Sequence, residues 1–169
     1  PTIHRILYNG FHPCSMYRIS CTSAVPSYCK GNYCYAFVLT IIDTFTRVVL
    51  AWAVAYQIKQ SFVKLVWEKV INNYLQSYDC LKRNIQIEVR NDNDSRFIAK
   101  SVQDFFAENH LNQVFTHPYT PQENGHVESF HAILSQKLKR YNFWSLEDLE
   151  QTLVLFYEKY NNHRLHSSV

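Results

Sequence analysis

The chain has 169 residues and a formal net charge of +3, with 47% hydrophobic and 18% charged residues. That length supports one domain with a sizeable core, and the balance excludes a disordered or low-complexity chain. No apolar run reaches the roughly 20 residues of a membrane span. The opening Pro1-Thr-Ile-His-Arg has no apolar stretch or cleavage site of a signal peptide, so a soluble, cytoplasmic setting without a membrane partner is expected.

Residues 1–42 hold neither Asp nor Glu but carry His4, Arg5, His12, Arg18 and Lys30, so this part should tolerate phosphate, unless the gap is one of chance. The cysteines, Cys14, Cys21, Cys29, Cys34 and Cys80, are odd in number, and nothing points to a disulfide framework. Cys29 and Cys34 are close enough for a zinc knuckle. A second pair at zinc spacing is missing, so reduced thiols are the better reading.

Residues 16–25 read as a strand. Tyr33 to Ile42 and Arg47 to Tyr56 are aromatic and β-branched runs joined by Asp43-Thr-Phe-Thr46, which predicts an antiparallel hairpin. The period then changes. Phe62, Leu65, Val66, Val70, Ile71, Tyr74, Leu75 and Tyr78 recur at helical spacing, with Ser61 as the candidate N-cap. A strand is expected over Ile85 to Val89, then a helix with Ile98, Val102, Phe105 and Phe106 on one face, then a short strand at Val114-Phe115. His117 to Gln122 holds two prolines and reads as a loop. Two helices finish the chain. One runs from about Gln122 to Arg140. The other starts at Ser145 with a capping-box-like Ser-Leu-Glu-Asp and the stripe Leu146, Leu149, Leu153, Phe156, Tyr157 and Tyr160. A hairpin continued by β-α-β units predicts a mixed α/β sheet with helices on both faces.

Two polar segments stand out. Asp92 follows a buried strand at once, and sites in open α/β sheets form beyond the carboxyl ends of strands. An Asx-rich turn capping the next helix would use the same residues. Glu128 falls in the first turns of a helix, beside the apolar stripe Val127, Phe130 or His131, Leu134 and Leu138. An ordinary surface Glu favoured by the helix dipole would fit there too. Between Asp92 and Glu128 lie 35 residues, reading as helix, strand and loop.

Four segments in order carry a resemblance. Thr40-Ile-Ile-Asp-Thr-Phe-Thr-Arg47, Arg90-Asn-Asp-Asn-Asp-Ser-Arg-Phe97, Pro118-Tyr-Thr-Pro-Gln-Glu-Asn-Gly-His-Val-Glu128 and Tyr160-Asn-Asn-His-Arg-Leu-His-Ser-Ser168 resemble motifs of the bacterial insertion-sequence branch of the DDE transposases and retroviral-type integrases. The resemblance covers roughly residues 15–169. It implies a ribonuclease-H-like catalytic core with a mixed five-stranded sheet. It also implies metal-dependent phosphodiester hydrolysis and strand transfer on transposon ends and target DNA, and a homo-oligomer. Two Mg²⁺ or Mn²⁺ ions would be held by carboxylates, with Asp92 and Glu128 as ligands. Hard cations prefer such oxygen donors, and two of them suit an in-line displacement at phosphorus. On this reading residues 1–169 form one core domain, with about 1–14 an N-terminal extension. The family's DNA-reading domain would lie before Pro1.

The family's first catalytic Asp belongs on the first strand. The matching stretch, Tyr17-Arg-Ile-Ser-Cys-Thr22, puts Ser20 there, with Ser23 the next candidate. Catalysis is therefore expected to be impaired. Asp43 and Asp94 are the candidate substitutes. Asp94 stands where the family has Gly, and Leu165 where it has Pro. Lys100, His126, His131, Lys137, Lys139 and Arg140 are the candidate DNA-backbone contacts; a solvated helix face is the alternative. Two other functions remain open: a non-catalytic nucleic-acid-binding domain descended from a transposase, and a ribonuclease-H-like nuclease. The acid-free first 42 residues weigh against the nuclease.

Overall fold

The computed structural model describes residues 16–29, 32–77, 87–115 and 121–163. Expectations falling on residues 1–14, on Tyr78, on Ile85, on His117 to Thr120 and on the tail from Arg164 lie outside the described residues.

Three strands come first: β1 (Met16–Cys29), β2 (Asn32–Asp43) and β3 (Val49–Ala55). Helix α1 (Gln60–Val70) follows and runs into a wider turn over Ile71–Leu75, where the Gln76 N–H donates to the Ile71 carbonyl at 2.8 Å. Next come β4 (Ile87–Asn91), the short α2 (Ser95–Ile98), α3 (Lys100–Glu108) and β5 (Leu111–Phe115). Helices α4 (Pro121–Leu138) and α5 (Leu146–His163) close the chain. The strands form a mixed sheet in the order β3-β2-β1-β4-β5. β2 pairs antiparallel with both β1 and β3, and β4 pairs parallel with both β1 and β5.

The alternation of β2 builds both layers. Leu39 and Ile41 join Val63, Val66, Trp67, Val70, Phe97, Val102 and Phe106 in a core under α1, α2 and α3. Ala36, Val38 and Ile42 face the other way and pack with Phe130, Leu134 and Leu138 of α4 and Leu149, Leu153, Tyr157 and Tyr160 of α5. Successive strand residues point to opposite faces, so one strand serves two cores. Phe97, Phe106 and Phe130 are fully enclosed; burying such a side chain contributes about 1.5–3 kcal/mol. In β3 the register slips between Ile41 and Ile42, skipping Leu50. Leu50 and Ala51 therefore both face the first core, the signature of a bulge.

The α5 stripe lies as read: Leu149, Leu153, Tyr157 and Tyr160 are buried, and Leu146 and Phe156 pack against them. Tyr157 stacks on Trp52 at 4.8 Å and its hydroxyl meets Thr40 Oγ1 at 2.7 Å. Burial raises the phenol above its ordinary pKa, so it stays neutral. Asn161 adds a second tie, accepting from the Val49 N–H and donating to the Val49 carbonyl, both at 2.9 Å. At the start of α5, Ser145 Oγ accepts from the Asp148 N–H at 3.2 Å, while the Asp148 carboxylate accepts from the Trp144 N–H, one residue before the expected reciprocal partner.

Three expectations are corrected. Helix α1 starts at Gln60, and Lys59 stands at its N-cap without a side-chain cap, in place of Ser61. Its buried stripe is Val63, Val66, Trp67 and Val70, while Leu65 is half exposed. The bulk of Trp67, edge-on to Phe106 at 5.4 Å, sets that phase. The helix expected across Ile98 and Phe106 is two helices, broken where Ala99 takes an extended conformation (φ −55°, ψ 130°). That break rotates Ile98 outward and leaves Phe97 fully buried.

Candidate active site

Strand β4 is in on one face and out on the other: Ile87, Val89 and Asn91 are buried, while Glu88 and Arg90 pair with each other at 2.8 Å. Asp92 is the first residue beyond its carboxyl end. Asn91 is held by a short network: its Nδ2 donates to the Asp92 carbonyl at 2.8 Å, and Gln113 of β5 donates to its Oδ1 at 3.0 Å and to the Phe97 carbonyl at 3.1 Å. Asn91 and Gln113 thus fix the backbone from which Asp92 projects. The sequence reading missed this role of Gln113, although its alternation with Leu111 on an edge strand marks a polar group turned toward the interior.

The Asp92 carboxylate accepts a long hydrogen bond, 3.4 Å, from the Asp94 N–H, and among the described residues it makes no direct ion pair. Although Asp92 is exposed along one side, desolvation by neighbouring atoms raises its carboxyl above the ordinary value. The Asp94 charge adds to this; the Asp94 N–H and Arg96 oppose it. Asp94 is occupied differently. Its Oδ1 caps α2 by accepting from the Arg96 N–H at 2.9 Å, and the Arg96 guanidinium grips both of its oxygens. Those bonds to Arg96 hold its carboxyl below the ordinary value.

Position 20 lies in β1, Cα-paired with Thr40; its side chain lies outside the described residues. The β1–β4 ladder runs Met16↔Glu88, Tyr17↔Val89, Arg18↔Arg90, and continuing that register sets position 20 level with Asp92. Glu128 is exposed on α4, a helix that packs against β1, next to the buried Val127. No hydrogen bond or ion pair engages Glu128 among the described residues.

Asp43 is elsewhere. It pairs with Tyr17, level with Val89, so it sits three residues behind Asp92 and two strands away. At about 3.3 Å per residue that is roughly 10 Å along the strands alone. It is 4% exposed, and both oxygens are engaged in the hairpin turn: Oδ1 accepts from the Phe45 N–H at 3.0 Å, and Oδ2 from the Thr46 hydroxyl at 2.6 Å. Asp43 locks the β2–β3 turn, and Asp94 caps α2.

Among the described residues neither Asp92 nor Glu128 has a direct ion pair, so both offer carboxylate oxygens, which in kind fits a hard divalent cation. Among the described residues no three His, Cys, Asp or Glu side chains are grouped to hold a metal.

The candidate DNA contacts do not form one face. Lys100 opens α3, under the first core, and is tied to Asp104 at 2.8 Å, which raises its pKa. Lys137, Lys139 and Arg140 are exposed at the far end of α4, which covers the opposite sheet face. Lys137 lies over the Tyr141 ring at 5.3 Å. With Arg140 and Lys159 it lines a cavity of about 610 Å³ between α4 and α5, whose apolar lining is Ile133, Leu155 and Phe156. His126 falls in α4, and its side chain lies outside the described residues. His131 is half buried, edge-on to Phe130 at 5.6 Å, and desolvation lowers its pKa. It therefore favours the neutral imidazole, the form that does not neutralise phosphate.

Comparison with known proteins follows the same lines. A family profile described as integrase core domain matches residues 16–121, and a second profile of that description matches residues 109–169. No curated protein sequence matches. Among solved structures, a chain of the simian T-cell lymphotropic virus intasome in complex with PP2A regulatory subunit B56 gamma superposes with a TM-score of 0.67 at 17% identity, over 94% of this chain and 52% of that one. The present chain thus spans about half of that relative's length. The catalytic core domain of BIV integrase superposes with a TM-score of 0.63 at 19% identity, over 89% and 86%. The catalytic domain of Mos1 mariner transposase does so with 0.69 at 12% identity, over 93% and 76%, and that domain has also been solved with Raltegravir and Mg. These likenesses are of fold: a mixed α/β core like those of integrases and transposases.

Proposed function

The chain belongs to the integrase core domain family, and on that premise we propose that it is the core of a DNA-transposing or integrating enzyme whose catalysis is impaired at one position. The observation that carries this reading is the β1–β4 register, whose continuation sets position 20 beside Asp92, with Glu128 on the helix that packs against β1. Asp92 and Glu128 are the proposed metal ligands, and Ser20 holds the place of the third. Two bound Mg²⁺ or Mn²⁺ ions would activate the attacking oxygen and stabilise the leaving one in DNA cleavage and strand transfer.

The protein's own contribution is positional. Asn91 and Gln113 fix the strand end that carries Asp92. The desolvated Asp92 carboxyl, short of counter-charge, is suited to take up a cation. Ser20 is neutral and a poor ligand, so the site lacks one negative charge. Losing electrostatic stabilisation of this kind commonly costs about 10²-fold or more in rate. Asp43 and Asp94, both engaged elsewhere, do not make up the deficit. Transposon ends and target DNA are the proposed substrates, a homo-oligomer the proposed assembly, and the cytoplasm the proposed location. Within the described residues no helix is long and apolar enough to cross a membrane.

The test is a Mg²⁺- or Mn²⁺-dependent strand-cleavage assay on the unaltered chain, on Ser20→Asp and on Asp94→Gly. Weak cleavage that rises with Ser20→Asp is expected. Full activity in the unaltered chain would overturn the impairment, and rescue by Ser23→Asp instead would move the missing ligand three residues along β1. A second reading, a domain that binds DNA without cutting it, is favoured by the engagement of Asp43 and Asp94. It stands if Ser20→Asp and Ser23→Asp both stay inactive while DNA is still bound.

A further inference from the structure

A second cationic feature lies on the sheet face opposite α4 and entered none of the candidate residues above except through its neighbour Lys100. The first turn of α1 and the start of α3 enclose a cleft of about 450 Å³ lined by Lys59, Gln60, Ser61, Lys64, Arg96 and Ser101. Three of these are cations and two are hydroxyls, and no carboxylate among the described residues lines it. We infer that this cleft takes a phosphate group of the DNA backbone, a reading that rests on the chain being a DNA-processing core.

The cleft is held open by its own contacts. Ser101 Oγ donates to Gln60 Oε1 at 2.7 Å, tying the two helices across it. Asp94 grips Arg96 and fixes the guanidinium at the cleft wall. That bond offsets part of the Arg96 charge, so Lys59 and Lys64 carry the excess. Asp104, the nearest acid on α3, is turned to Lys100. The backbone supports the same sign. Neither α1 nor α3 has a side-chain cap or an acid in its first turn, so both present N–H groups and positive dipole ends with no carboxylate of their own. A guanidinium, two ammonium groups, two hydroxyls and amide N–H groups are the donors that hold phosphate oxygens. Arg96 lies in α2, four residues beyond Asp92, so the cleft shares with the candidate active site the segment that leaves β4, whereas the cations at the end of α4 do not.

The experiment is fluorescence anisotropy of a labelled 30-base-pair duplex, titrated with the full chain between about 50 and 200 mM salt. Each phosphate contact to duplex DNA contributes about 0.9 to the slope of log affinity against log salt. Lys59→Gln/Lys64→Gln is expected to lower the slope by about one and to weaken binding severalfold, with an unchanged circular dichroism spectrum and melting temperature. Lys69→Gln, an exposed cation in the last turn of α1, is expected to leave the slope as it is. An unchanged slope in the double variant, beside a salt-dependent parent, overturns this site alone. A parent whose duplex binding shows no salt dependence overturns the DNA-core reading and this site with it. Inorganic phosphate that binds the parent but not the double variant, while the DNA slope stays the same, assigns the cleft to a free anion and overturns the DNA assignment.

Discussion

The Asp43 carboxylate accepts from the Phe45 amide and the Thr46 hydroxyl within one turn. Asp43→Ala leaves both donors without that acceptor, and an unsatisfied buried group costs about 1–3 kcal/mol. Urea unfolding should show a loss of that size, together with unchanged cleavage per folded molecule in a Ser20→Asp background; a loss of cleavage alone would mark Asp43 as a ligand. Asp94 gives a pH signature. Its folded-state pKa lies below its unfolded value, so its contribution to stability is full above the ordinary carboxylate pKa and is lost as pH falls through the lowered one. Asp92 has the opposite sign: its raised pKa means a penalty at neutral pH that is relieved on acidification. Chemical denaturation across pH should therefore find Asp94→Gly less stable than the parent at pH 7 and the difference gone well below pH 4. A difference that persisted in acid would assign the effect to the glycine backbone instead. In the sequence these three residues differ only in position, and their hydrogen-bond partners separate them. A turn capping the next helix and the strand end before Asp92 were therefore both legible beforehand, whereas which carboxylate caps, which locks a turn and which stays open was not.

At the scale of elements, periodicity carried the reading where one face alone is buried. The α5 stripe emerged in this way, whereas the hairpin strands, with β2 buried on both faces, were legible from their aromatic and β-branched runs. Periodicity failed where the backbone departs from a single period. The extended Ala99 re-phases the residues around it, and no local composition marks it; past the i+5 bond at Ile71 the expected Ile71 and Leu75 are buried all the same. Register between strands was not legible at all, because it is set by long-range pairing. Yet register aligns position 20 with Asp92. On that alignment, Ser20→Asp should convert a weak response to divalent metal into a strong one. In thermal melts, millimolar Mg²⁺ or Mn²⁺ should raise the melting temperature of Ser20→Asp by several degrees and of the parent by much less, consistent with binding linkage. Equal shifts in both would mean that β1 contributes no ligand.

The whole molecule divides its cations between two faces. Lys59, Lys64 and Arg96 lie with α1, α2 and α3, whereas Lys137, Lys139, Arg140 and Lys159 lie with α4 and α5. The net charge of +3 hides this division. The two sets lie on opposite sides of the sheet, so their effects on DNA binding should add. Combining Lys59→Gln/Lys64→Gln with Lys137→Gln/Arg140→Gln should lower the salt slope by the sum of the two separate decreases if DNA contacts both faces. No further decrease from the α4 pair would leave that groove, with its apolar lining of Ile133, Leu155 and Phe156, to something other than nucleic acid. Charges were legible in the sequence; which of them are tied down, as Lys100 is to Asp104, or uncharged, as the desolvated His131 tends to be, was not.

The double hydrogen bond between Asn161 and Val49 has a consequence beyond fastening α5. Strand β3 ends the sheet, and the rim of a terminal strand offers amide and carbonyl groups to any extended segment that arrives. The Asn161 amide matches a peptide group in donor and acceptor, so at Val49 it fills the place that a sixth strand would take. The side chain that anchors the last helix thereby also blocks growth of the sheet at the residue beside its bulge, where the pairing of β3 with β2 is already interrupted.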